Sequence, residues 1–215
     1  MLEKHSLALA IENFLPLILV TAGLIFIARM LNRKSELLGE LAYAGTILIV
    51  AGNLLNAVGK LLNAVNGSDI AWLKYSLLFL SAPGFVCLAW ALWRANRKEL
   101  TAGTVWLLPL FFNAGMVALT SATKMVKGGQ TWLRLLLIVA TIASFAAFVQ
   151  LAQRALRQQQ QVIAALFILS LGMSLALLFQ GGDNTQAAEW GKQISNTIYQ
   201  GVFAFAAFAL SKKTK

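Results

Sequence analysis

The residues with chemical potential in this sequence are polar side chains set inside apolar runs. At 100° per residue, Asn53, Asn56, Lys60 and Asn63 fall within about 80° of one another, so on a helix they form one stripe. Asn113, Thr120 and Lys124 span about 40°, and Gln193, Asn196 and Gln200 about 60°. Glu12 interrupts the first apolar run, with Asn13 beside it and His5 on the same face. A carboxylate, two ammonium groups and several amides can hold a small polar solute between them. They can equally tie helices together, each interhelical hydrogen bond contributing about 0.6 kcal/mol. Ionisable groups at the centre of a bilayer cost roughly 2.5–3.5 kcal/mol, and a stripe of four on one helix exceeds what packing needs. The candidate ligand-binding set is therefore Glu12, Asn53, Asn56, Lys60, Asn113, Thr120, Lys124, Asn196 and Gln200. Glu12 is its acid, Lys60 and Lys124 are its bases, and Glu12 and Lys60 are expected within reach of each other.

Other chemistry is sparse. One cysteine, Cys87, excludes an internal disulfide and a thiolate metal cage. One histidine excludes bis-histidine haem and clustered histidine metal sites. Glu12 with His5 is the single acid/base pair, so no catalytic constellation, metal or cofactor is expected.

These residues must be positioned by membrane helices. Of the 215 residues, 59% are apolar and 12% charged, where soluble domains run nearer half and one quarter. Seven apolar segments follow one another: Leu7–Ala28, Leu38–Lys60, Trp72–Trp93, Ala102–Thr123, Trp132–Gln153, Val162–Gln180 and Trp190–Leu210. Each suffices to cross ~30 Å of hydrocarbon. The expected fold is an all-α integral membrane protein of seven transmembrane helices in a single domain over residues 1–215. Short loops make neighbouring helices antiparallel, and the Gln158–Gln161 run is a solvated connection.

The net charge of +10 would suggest nucleic acid in a soluble protein. Here the cations sit at helix ends, where they orient the chain and meet lipid headgroups. Glu12 and Pro16 break the first run, and Arg29, Arg33 and Lys34 follow it, which fits a reversed signal-anchor better than a signal peptide. With the N-terminus outside, eleven Lys and Arg face inward against seven outward. The expected location is the cell (inner) membrane, N-terminus outside and C-terminus cytoplasmic, with every polar stripe in the outer half.

An internal repeat is also indicated. Trp72-Leu73-Lys74, Trp132-Leu133-Arg134 and Trp190-Gly191-Lys192 each precede a phenylalanine (Phe85, Phe145, Phe203) and then a basic residue (Arg94, Arg154, Lys212) at fixed spacing. Asn53 and Asn113 stand nineteen residues before the first two tryptophans, with Leu171 in the third place. The unit is a helical hairpin of about 58–60 residues after a lone first helix. Interfacial tryptophans and anchoring cations account for part of that pattern. Ser81-Ala82-Pro83-Gly84 marks a kink in the third segment, and Pro16 and Pro109 are weaker marks of the same kind.

Seven spans with an external N-terminus are similar in number to microbial rhodopsins. The last span, however, has Lys192 and Lys212 only at its two ends, where that family needs a lysine in the middle. The functional expectation is a small transporter or channel with a polar pocket in the outer half, taking a small polar ligand. The alternatives are a non-catalytic subunit, assembly factor or sensor beside membrane partner subunits, and an intramembrane lipid-modifying enzyme. The lipid bilayer is the one certain partner class, and no nucleic acid is expected.

Overall fold

The computed structural model describes residues 7–97, 105–127, 130–179 and 185–213, and the described chain is all-helical. The helices are α1 (Leu7–Glu12), α2 (Phe14–Lys34), α3 (Glu36–Asn66), α4 (Ala71–Ala95), α5 (Leu107–Lys127), α6 (Thr131–Arg157), α7 (Gln161–Phe179) and α8 (Gln186–Lys213). Five stretches are long and apolar enough to cross a membrane: Leu7–Lys34, Glu36–Asn66, Ala71–Ala95, Thr131–Arg157 and Gln186–Lys213. A shorter apolar helix covers Gln161–Leu177. This architecture fits a multi-pass helical membrane protein.

Several ends lie beyond the apolar segments because basic residues stay helical. Arg33 and Lys34 occupy the last turn of α2, and Arg154 and Arg157 that of α6. Cations there oppose the negative end of the helix dipole. Ser35, in extended conformation, is the whole α2–α3 connection. Gly67 ends α3 in the left-handed region at φ 74°, its N–H on the Asn63 carbonyl, a conformation that favours glycine.

Two prolines act as helix starts. Pro109 is the third residue of α5 and Pro16 the third of α2, first-turn positions where a missing N–H is tolerated. The fourth segment, expected over Ala102–Thr123, is accordingly helical over Leu107–Lys127, while 102–104 lie outside the described residues. Pro16 also lacks the N–H that would bond the Glu12 carbonyl, and the first span divides at Asn13 into α1 and α2. The kink expected around Pro83 is less disruptive than a break: α4 runs as one helix through it.

Packing forms a ring. α2 packs on α3, α3 on α4, α4 on α6, α6 on α7, α7 on α8, and α8 closes on α2. Close approach is made by small residues. Gly45, Gly52 and Gly59 recur every seven residues on α3. A Cβ on each would meet, in turn, the Gly84 carbonyl at 2.6 Å, the Leu77 and Ser76 carbonyls at 3.1 Å, and Leu73 Cβ at 3.0 Å. A seven-residue spacing keeps one seam facing α4. Gly23 of α2 does the same against Phe203 of α8.

α5 stands outside the ring, against α6 and α4. Its inward stripe is Pro109, Met116 and Thr120, and Phe111 on its far side is 75% exposed. The three hairpins picked out by the spacing of the tryptophans are thus not packed alike.

The bundle is tightest at its basic end. The main core cluster joins Leu24, Ile27, Leu31, Leu38, Leu41, Leu88, Leu92, Leu151, Phe167 and Leu210. Side chains clamp the helix ends there: Arg33 Nη1 donates to the Ser211 carbonyl at 3.2 Å and Arg157 Nη1 to Asn96 at 3.3 Å, and Lys34 Nζ caps Ala95. The opposite end, where Trp72 and Trp132 stand at the starts of α4 and α6, holds the polar stripes.

Candidate functional site

The polar residues gather in two places. The first joins α1, α3 and α8. Thr197 Oγ1 donates to Glu12 Oε1 at 2.5 Å, and Lys60 Nζ donates to Asn13 Oδ1 at 2.8 Å. The break at Asn13 makes this possible: the Asn13 amide nitrogen bonds Leu9 O at 2.7 Å, leaving its oxygen for Lys60. Lys60 makes no ion pair with Glu12 or Glu189 among the described residues; its amide partner Asn13 is its hydrogen-bond acceptor. Glu189 in turn pairs with Lys192 at 3.2 Å. Glu12 Oε2 is buried and has no hydrogen-bond donor among the described residues. An unsatisfied buried acceptor of this kind costs about 1–3 kcal/mol, more for a charged group.

Below this cluster lies a cavity of about 200 Å³ inside the ring. Leu24, Phe85, Ala147, Leu171 and Phe203 supply much of its wall, with Thr141, Ser144 and Ser174 as polar interruptions. Those three hydroxyls are spent on carbonyls of their own helices. Tyr199 and Gln200 are different: Gln200 Nε2 donates to Tyr199 Oη at 2.6 Å, and both side chains line the cavity. Gln200 is three residues beyond Thr197, about 4.5 Å of helical rise. The Glu12–Thr197 pair therefore sits nearly one turn along α8 from the cavity-lining Gln200.

The second place is a cleft of about 640 Å³ between α4, α5 and α6, with Leu55 of α3 at its floor. Thr120 and Lys124 belong here, beside Trp72, Tyr75 and Trp132. The Lys124 ammonium lies 5.5 Å from the centre of the Trp132 ring. Thr120 is buried and returns its hydroxyl to Met116 O at 2.9 Å.

The remaining candidates are dispersed. Asn53 bonds Ile49 O of its own helix at 2.8 Å, and Asn56 is half-buried on the same helix. Asn113 reaches across to Cys87 Sγ at 3.6 Å, with its Oδ1 buried and unbonded. Asn196 is half-buried beside Thr197. So Glu12 and Lys60 are held through neighbouring residues, by Thr197 and Asn13, and do not form the ion pair expected of them; Thr120 and Lys124 stand apart, with α4 between the α3 and α5 stripes.

Residues that reading the stripes missed are Thr197, Tyr199, Asn13 as the Lys60 acceptor, and Glu189. Thr197 was accessible in principle, about 40° from Gln193 on the same wheel. Among the described residues no cluster of His, Cys, Asp and Glu could hold a metal ion. Compared with family models, curated proteins and solved structures, the chain matches none.

Proposed function

We propose that this protein is a small transporter of seven crossings that admits a small polar solute from the side opposite its basic end. In this reading the N-terminus faces outward and the basic end faces the cytoplasm of an inner-membrane protein, as the excess of cations at that end favours. Three same-sense hairpins after a lone helix remain the simplest source of the tryptophan spacing.

The observation that carries the reading is the stacking of the Glu12–Thr197 pair above Tyr199, Gln200 and the central cavity. A carboxylate oxygen left without a donor, beside an ammonium held by one hydrogen bond, has capacity for a ligand that helix fastening alone does not require. The clamped basic end closes the ring on the other side. That combination has the form of an outward-facing state in an alternating-access cycle, with polar groups at the entrance and a tight core beyond.

The test is thermal stabilisation of the purified protein by a panel of small zwitterions, organic cations and organic anions. A ligand of the site raises Tm of the wild type and loses that effect in Glu12→Gln or Gln200→Leu. A panel that shifts nothing, or a shift that both variants keep, contradicts the reading.

A further inference from the structure

The α4–α5–α6 cleft lies away from the solute path, and its chemistry is graded along its depth. Lys124 is three residues from the end of α5, about 4.5 Å of rise, and Gln130 and Trp132 stand at the start of α6. Leu80 is nine residues into α4 and Leu55 eleven residues from the end of α3, about 13 and 16 Å down. The mouth is thus cationic and aromatic at headgroup depth, and the floor is aliphatic at acyl-chain depth.

The cleft also opens sideways. Trp72 is 63% exposed and Phe79 45% exposed, yet both line the cleft, so it continues onto the outer surface of the bundle. That surface meets hydrocarbon in a multi-pass protein, so an occupant can arrive from the bilayer without crossing the ring. At about 640 Å³ the space falls within the range of ordinary ligand pockets. Among the described residues Lys124 has no carboxylate at ion-pair distance and lies over the Trp132 ring instead. Tyr75 packs edge-on against the same ring at 5.6 Å, which fixes the aromatic wall beside the charge. Tryptophan and tyrosine suit a boundary that is wet at one end and apolar at the other.

We propose that this cleft binds a phospholipid of net negative headgroup, its phosphate at Lys124 and an acyl chain along Phe79, Leu80 and Leu55. Charge complementarity selects the headgroup, and the aliphatic floor requires the chain. The site is independent of the solute pathway, so the fate of one reading does not decide the other.

The test uses the full chain, delipidated in detergent and offered phosphatidylglycerol or phosphatidylcholine, with bound lipid counted by native mass spectrometry. One cation near the headgroup plane favours the anionic lipid by about fivefold. Wild type shows that preference, and Lys124→Glu, at an exposed position, abolishes it while the protein stays folded in detergent, losing no more Tm than one exposed cation–π contact costs. Ser121→Trp, exposed at the cleft wall, reduces retention of both lipids by filling the space. Inorganic phosphate at millimolar concentration does not compete. Equal retention of phosphatidylglycerol by wild type and both variants overturns the proposal. Displacement by inorganic phosphate overturns it too, because the site would then serve a free anion.

Discussion

Thr197 on the last helix donates its hydroxyl to Glu12 on the first, at 2.5 Å and across 185 positions of sequence. The bond joins the first and last helices at the polar face of the bundle. It also leaves one carboxylate oxygen with a donor and the other without. Thr197→Val removes the donor and leaves both oxygens without one, which costs about 1–3 kcal/mol. Glu12→Gln keeps an acceptor for Thr197 and removes the charge. The expected order of Tm in detergent is Glu12→Gln above Thr197→Val. The reverse order shows that the hydroxyl does not satisfy Glu12.

Lys60 and Glu12 belong to one polar cluster, and each bonds a different partner, Asn13 and Thr197. Lys60→Met removes the cation of that cluster and is expected to be the more damaging single change. The double variant Glu12→Gln/Lys60→Met is expected to recover part of the loss, since a buried charge without a partner costs more than none. A double-mutant cycle with no coupling between the two sites contradicts that relationship.

The α3–α4 seam gives a sharper stability contrast. A Cβ on Gly84 would lie 2.7 Å from the Gly45 carbonyl and 2.7 Å from Ile49 Cγ1. Gly84→Ala is therefore expected to lose about 1–3 kcal/mol by overpacking. Gly115→Ala and Gly172→Ala meet nothing within 4 Å and are expected to leave Tm unchanged or raise it slightly. Thermal unfolding of the three variants side by side separates them.

The Gly45, Gly52 and Gly59 spacing shows what the sequence made legible. Three glycines at seven-residue spacing are visible in the sequence, but only the packed α4 shows that they mark a contact face. Helix existence was readable from apolar runs, while the ends moved outward wherever Arg33, Lys34 or Arg157 could remain helical. Pro16 and Pro109 read as bends because their distance from a helix start is invisible until the start is known. Periodicity assigns a face to each helix but not a neighbour. Hence Lys124 and Lys60 seemed parts of one group, although α5 lies outside the ring and α4 intervenes. Thr197 escaped notice because a threonine in a span ordinarily bonds its own helix, as Thr120 and Thr141 do here.

Orientation has its own check. In a protein whose Cys87 is replaced by alanine, a cysteine at Ser68 is expected to react with an impermeant thiol reagent from outside the cell. One at Gln159, in the turn between α6 and α7, is expected to react only after permeabilisation. Labelling of Gln159→Cys alone in intact cells inverts the orientation and turns the polar cluster toward the cytoplasm.

On the proposed path, water and solute pass Glu12 to reach Gln200. In the same cysteine-free protein, the decisive measurement is the rate at which Thr197→Cys, Gln200→Cys and Ala207→Cys react with the impermeant reagent in intact cells. Thr197 and Gln200 lie on the proposed path, whereas Ala207 is buried in the core of the basic half. Labelling is expected at 197 and 200, slower at the deeper position, and none at 207. Folded, membrane-inserted protein that stays unlabelled at both 197 and 200 would contradict it, leaving the polar residues as fastenings between helices.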